Sequence, residues 1–203
     1  MNSDEQADRL AQTSVAVHPI IATRWSPRAL VPAAEVPDDA LRAMLEAARW
    51  AASSGNTQPA RYLVGRRGDE TFNRIFEVLS VRNQGWAHAA SALLLGCAVT
   101  TNRKGELPMA EYGVGLASQN LVLQAVAEGF VAHQLGGFNK EGAKLVFSLP
   151  DDVRPLVVIA IGVLGAPDLL DEDRRAQETR ERRRIPLDEF ALTEWGRPAF
   201  PTE

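Results

Sequence analysis

Ala51-Ala52-Ser53-Ser54-Gly55-Asn56-Thr57-Gln58-Pro59 closes the first apolar helix of the chain with a dense row of small hydrogen-bonding side chains. Asn56 and Gln58 each carry a donor and an acceptor, which suits the edge of a planar heterocycle that has both carbonyls and an N–H. The same residue types also build ordinary capped loops, so the stretch alone leaves both readings open. Just before it, Val36-Pro37-Asp38-Asp39 reads as a helix start, and Leu41, Met44, Leu45 and Ala48 form one apolar stripe. Just after it, Tyr62-Leu63-Val64 reads as a short strand.

Further along, Phe72, Ile75, Phe76 and Leu79 mark a second amphipathic helix, and the almost unbroken apolar run Ala90 to Val99 predicts a buried strand. A long helix is expected from about Met109 to Glu128, with an apolar surface wider than one stripe, which places it centrally or at an interface. Gly129 ends it. Phe130 to Gln134 is a strand candidate, Asn139 caps a helix running through Phe147, and Pro155 to Val163 is the clearest strand. Residues 1–18 are expected to be disordered. Residues 19–203 form one domain, of which 166–203 is a polar C-terminal arm.

Composition narrows the function. The chain has 203 residues, 45% of them hydrophobic, and a net charge of −4. A single domain of this size buries a substantial core. The longest apolar run, Ala87 to Thr100, is too short for a membrane helix, and Met1 to Thr13 lacks the pattern of a secretory signal, so the expected location is cytoplasmic. The charge balance argues against nucleic acid as a partner. The lone Cys97 sits in an apolar run and reads as a packed thiol, and His18, His88 and His133 lack ligand spacing, so no metal site is expected. No Gly-x-Ser-x-Gly, P-loop or Gly-x-Gly-x-x-Gly occurs, so an enzyme with this sequence would leave the chemistry to a cofactor.

Two further segments fit such a cofactor. Thr23-Arg24-Trp25-Ser26-Pro27-Arg28 sets two guanidinium groups around a hydroxyl, and Arg180, Arg182, Arg183 and Arg184 form a second basic group far along the chain. Together they could serve one small anion, because Arg binds phosphate through paired charge-assisted bonds. Taken alone, the first segment reads more readily as a solvated turn with ordinary surface arginines. His133-Gln134-Leu135-Gly136-Gly137-Phe138-Asn139 puts two glycines between a strand and a helix, where backbone N–H groups approach a planar ligand closely. A plain strand-to-helix turn explains the pair equally well, and His133 reads as a satisfied core histidine.

In order and spacing these segments resemble the nitroreductase family from about Arg24 to Leu187. The opening basic-x-Ser-x-basic element is similar to Arg24–Arg28, and the helix-end signature to Ala51–Pro59. The long-helix pattern is similar to Gly115–Ala125, the Gly-Gly-Phe turn to Gly136–Phe138, and the terminal basic-x-basic-x-Pro element to Arg182–Pro186. The resemblance implies an α+β fold with a mostly antiparallel sheet covered by helices, in a homodimer whose C-terminal arm wraps the partner. It implies FMN sites at the subunit interface and hydride transfer from NADH or NADPH to a small acceptor such as a nitroaromatic or quinone. No side chain would be catalytic. Arg24, Trp25, Ser26, Arg28, Arg182 and Arg184 would surround the phosphate and ribityl chain. Ser53, Ser54, Asn56 and Gln58 would face the flavin, Ser53 and Asn56 from the partner. The backbone of Leu135, Gly136 and Gly137 would lie near the reactive nitrogen. This sequence departs from the pattern at Ala52, Ala60 and Gly136, where the family often has Pro, an aromatic and an acidic residue. The same resemblance accommodates an enone reductase, a dehalogenase, a flavin-consuming enzyme or a flavin-storing protein.

Overall fold

The computed structural model describes residues 9–200. The first eight residues of the segment expected to be disordered lie outside that range, while its remainder carries specific contacts, given below.

Helix α1 is Pro19–Thr23 and α2 is Asp38–Arg49, followed by a single tight turn at Ser54–Asn56. Strand β1 is Ala60–Arg66; then come α3 (Glu70–Glu77), α4 (Val81–Ala87) and β2 (Ala92–Val99). A small hairpin, β3 (Thr101–Asn102) with β4 (Gly105–Glu106), leads into α5 (Ala110–Ala127), the long central helix. Strand β5 is Val131–Leu135, α6 is Lys140–Val146 and β6 is Val153–Gly162. The arm contains α7 (Glu172–Glu178), α8 (Leu187–Phe190) and the hairpin β7 (Leu192–Glu194) with β8 (Arg197–Pro198).

Local chemistry sets several of these boundaries. Phe72 N–H donates to Asp69 Oδ1 (2.6 Å) at the start of α3, and Gly142 N–H donates to Asn139 Oδ1 (2.9 Å) at the start of α6. Each satisfies a helix donor that has no partner within the helix. Helix α4 has no apolar period of its own. It is held by Trp86, buried in the core, and by its N-terminal contacts with the turn after β5.

The main sheet has the order β1-β2-β6-β5, and all three pairings are antiparallel. Its strands are nevertheless apolar on both sides, because helices cover both faces. Leu93, Leu95 and Cys97 of β2 face Phe72, Ile75 and Trp86, whereas Ala92 and Leu94 face Met44 of α2 and Leu121 and Val122 of α5. This sandwich explains why β2 reads as a continuous apolar run in an antiparallel sheet. Pro155 lies inside β6, where the register against β2 slips at Gly96/Cys97 and Leu156 is the extra residue. β5 pairs only with Val158–Gly162, so the missing N–H of Pro155 breaks no bond on that side. Cys97 is free and buried, and burial pushes its thiol up to about 11, which keeps it protonated and unreactive near neutrality.

Candidate cofactor site

The basic segment near the start is fixed by its backbone. His133 Nδ1–H donates to Pro27 O (2.9 Å), joining the segment to β5. The carboxylate of Glu178, at the end of α7, accepts Arg28 N–H at both oxygens (2.9 and 3.0 Å) and Ala29 N–H at one (3.0 Å). Gly165 N–H donates to Ala29 O and Val31 N–H to Val163 O, so the end of β6 holds the following residues.

The terminal basic group arrives at the same place. Arg182 donates from Nη1 to Ala22 O (3.0 Å) and from Nη2 to Arg24 O (2.8 Å), and it also reaches Arg9 O. Its guanidinium is therefore a brace between main-chain carbonyls, which differs from its expected place among the phosphate ligands. Arg24 is held below its usual pKa by partial burial and then by Arg184; Arg182 by burial and then by Arg24, Arg184 and Arg9. Arg24, Arg182 and Arg184 thus lie close enough to form a concentrated positive centre. Arg24 Nη1 also donates to Ser26 Oγ (3.3 Å). Arg28 meets a separate set of charges: burial lowers its pKa, Glu178 raises it, and Arg82 and Arg174 lower it. Trp25 lies under the guanidinium of Arg9, 4.2 Å from the ring centroid.

Arg9 belongs to the segment read as disordered. It donates to the main-chain carbonyls of Arg180 (2.8 Å) and Glu178, and Ala11 N–H donates to Ala22 O (2.9 Å).

The glycine pair divides into two roles. A Cβ on Gly137 would lie 2.8 Å from Asn83 Nδ2 and 3.2 Å from Ser80 Oγ, so glycine is needed there to admit the start of α4. The Gly137 carbonyl accepts both Ser80 N–H (3.0 Å) and Asn83 Nδ2–H (2.9 Å), which fixes the turn. A Cβ on Gly136 would meet nothing within 4 Å, which leaves an open approach to the backbone. Leu135 is buried and anchors the turn in the core.

Asn56 and Gln58 adopt left-handed backbone angles, φ 55° and 49°, beside Gly55 at 57°. Non-glycine residues held there store roughly 1–3 kcal/mol each, strain that is commonly found at ligand sites. Gln58 N–H donates to Ser53 Oγ (3.0 Å) and Gln58 Nε2 to Asn56 O (3.3 Å), while Ser54 is exposed beside them. These bonds tie Ser53, Asn56 and Gln58 into one compact loop. Pro59 closes the loop against α5, where a Cβ on Gly113 would lie 2.7 Å from Pro59 Cγ.

Within one chain this loop and the Gly136 turn lie at opposite edges of the main sheet. The loop precedes β1 at one edge of the sheet, and Gly136 follows β5 at the other. Three strand spacings separate them, about 14 Å. The cleft beside Ser53 and Gln58 is about 80 Å³, lined also by Ala52, Arg61 and Ala117. A larger concavity of about 500 Å³ is formed by tail residues such as Ile185, Phe190 and Trp195 and contains none of the expected site residues.

Comparison with known proteins decides the family. The model of the Nitroreductase family matches residues 21–84, which include the basic segment and the Ser53–Gln58 loop. A crystal structure of an oxidoreductase containing FMN is 31% identical, covers 90% of this chain and 93% of that one, and superposes with a TM-score of 0.84. This chain belongs to the nitroreductase family. Among other relatives, an uncharacterized 15.4 kDa protein of Mycolicibacterium smegmatis is 38% identical over 147 residues, 68% of this chain and 99% of that protein. A Desulfovibrio desulfuricans chain in complex with FMN is 26% identical, covers 92% of this chain and 100% of its own, and has a TM-score of 0.70.

In this nitroreductase-family chain, His133 is a partly buried histidine bonded to the basic segment at the Pro27 carbonyl. Burial, opposed by the Pro27 hydrogen bond and assisted by Arg28 and Arg24, lowers its pKa to about 4. Above its ordinary value of about 6.5 the ring is neutral both folded and unfolded. As pH falls from 6.5 towards 4 only the unfolded chain takes up the proton, so stability is lost over that window. Relative to His133→Asn, the wild-type protein should lose about 1–3 kcal/mol of unfolding free energy between pH 7 and pH 4. Urea titrations at both pH values measure this, and a pH-independent difference would contradict the neutral buried ring. Glu178, Arg9, Ser80 and Asn83 are the supporting residues that the sequence did not disclose.

Proposed function

We propose that this chain binds FMN and transfers hydride from NADH or NADPH to a small oxidised acceptor such as a nitroaromatic or a quinone, in the cytoplasm. The observation that carries the proposal is the convergence of Arg24, Ser26 and Arg184, braced by Arg182, from opposite ends of the sequence onto one positive centre. That donor set fits a phosphate, which takes several charge-assisted bonds at once. Bound FMN would supply a carrier that accepts and returns two electrons. Arg24, Ser26 and Arg184 hold the phosphate in this reading, with Trp25 and Arg28 beside the chain that leads to the ring. The open backbone at Gly136, on a turn fixed by Ser80 and Asn83, approaches the ring, and a backbone donor there would stabilise developing charge. Asn56 and Gln58 match the ring's polar edge.

The reading also requires a homodimer. A flavin needs a pocket of several hundred Å³, which the 80 Å³ cleft beside Ser53 does not provide. A second chain bringing its Ser53–Gln58 loop to the arginine centre would complete the site. On α5, Tyr112, Leu116, Leu123 and Val126 are partly or largely exposed at helical spacing, a ready surface for that partner. The tail exposes Ile185, Phe190 and Trp195, the last at 99%, in keeping with an arm that embraces a neighbour.

One open face admits either donor or acceptor, so steady-state rates with both substrates varied should give parallel double-reciprocal lines. Intersecting lines would contradict the single shared face.

A further inference from the structure

Glu178 is the one acidic residue among the described residues that is fully buried, at 2% exposure, and it lies beside Arg9 and Arg28. Its hydrogen bonds, however, go to main chain: two oxygens receive Arg28 N–H and one of them also receives Ala29 N–H. Its own carbonyl receives Arg9 from the N-terminal segment. The residue thus joins three stretches of chain, the basic loop, the C-terminal arm and the segment before α1. A buried carboxylate without bonded partners would be strongly unfavourable, and here the loop's two N–H groups provide them.

We propose that Glu178 is a positioning residue for the anion site, clamping the turn from Arg24 to Ala29 so that Arg24 and Ser26 face a common point with Arg184. The proposal rests on the reading of that centre as the FMN phosphate site. The clamp acts through acceptor geometry. A carboxylate near a phosphate site repels the ligand, so the contribution of Glu178 to anion binding comes through the backbone it holds. The amide of Gln keeps an acceptor oxygen while removing the charge, and Ala removes both.

The test is fluorescence titration of full-length apoprotein with FMN and with riboflavin, in wild type, Glu178→Gln and Glu178→Ala, with urea midpoints measured in parallel. Glu178→Ala should weaken FMN at least tenfold and riboflavin less than threefold, and Glu178→Gln should restore FMN affinity to within about threefold of wild type. Unchanged or tighter FMN binding by the Ala variant would overturn the clamp, as would equal losses for both flavins that track the urea midpoint. Wild type that binds neither flavin would instead overturn the phosphate reading itself.

Discussion

Replacing Arg24 and Arg184 together by Ala should weaken FMN binding by about two to three powers of ten while leaving riboflavin nearly unaffected. Each charge-assisted bond to a phosphate is worth roughly 1.5–3 kcal/mol, or one to two powers of ten. The pair should lose somewhat less than the sum, because residues that share one ligand are coupled and their effects do not add. As ordinary solvated charges the same residues would change affinity by 0–1 kcal/mol at most. Arg28 provides the comparison, since it faces Glu178, Arg82 and Arg174 instead of the Arg24 centre. Arg28→Ala should show a smaller loss specific to FMN. Titrating the apoprotein variants with both flavins measures all three effects, and equal losses for the two ligands in the double variant would place the phosphate elsewhere.

The second large effect is on stability. Leu94 is fully buried in the layer between β2 and helices α2 and α5, packed with Met44, Leu121 and Ile159. Leu94→Ala should cost about 2–5 kcal/mol, the transfer energy of the lost side chain plus the cavity it leaves. Against a typical total of about 5–15 kcal/mol, that is enough to lower the urea midpoint markedly. Leu145→Ala is the control: that side chain is 81% exposed, and its loss should change stability by no more than about 0.5 kcal/mol. Similar midpoints for the two variants would mean that the two-sided core is wrongly assigned.

The elements with clear periodicity were legible before the structure. The stripe Leu41, Met44, Ala48 became the buried face of α2, and the expected long helix became Ala110–Ala127 with Met109 and Glu128 at its ends. Helix α4 was not legible, because Val81-Arg82-Asn83-Gln84-Gly85-Trp86-Ala87 has no apolar period and is held by tertiary contacts of Trp86, Ser80 and Asn83. The antiparallel sheet came from the family resemblance, since a two-sided core erases the alternation that ordinarily signals such strands. Charge was legible and direction was not. Arg24, Arg182 and Arg184 were all singled out, but only the fold shows that Arg182 turns to the carbonyls of Ala22 and Arg24. Glu178 sits in Glu172–Glu178, a polar helix whose acidic residues would ordinarily be solvated, and nothing local marks the one that enters the interior. Arg9 was hidden for the converse reason: its partners are Trp25 and the arm, more than a hundred residues away in the latter case.

The most direct measurement of the central claim is anaerobic mixing of the purified, FMN-loaded protein with NADH and, separately, with NADPH, while the visible flavin absorbance is followed in a stopped-flow instrument. At least one of the two should bleach the flavin rapidly, and adding a nitroaromatic or a quinone should restore the colour without net loss of FMN. A protein that holds FMN yet keeps its absorbance unchanged with both nicotinamides would contradict the account and leave a flavin-binding protein without turnover.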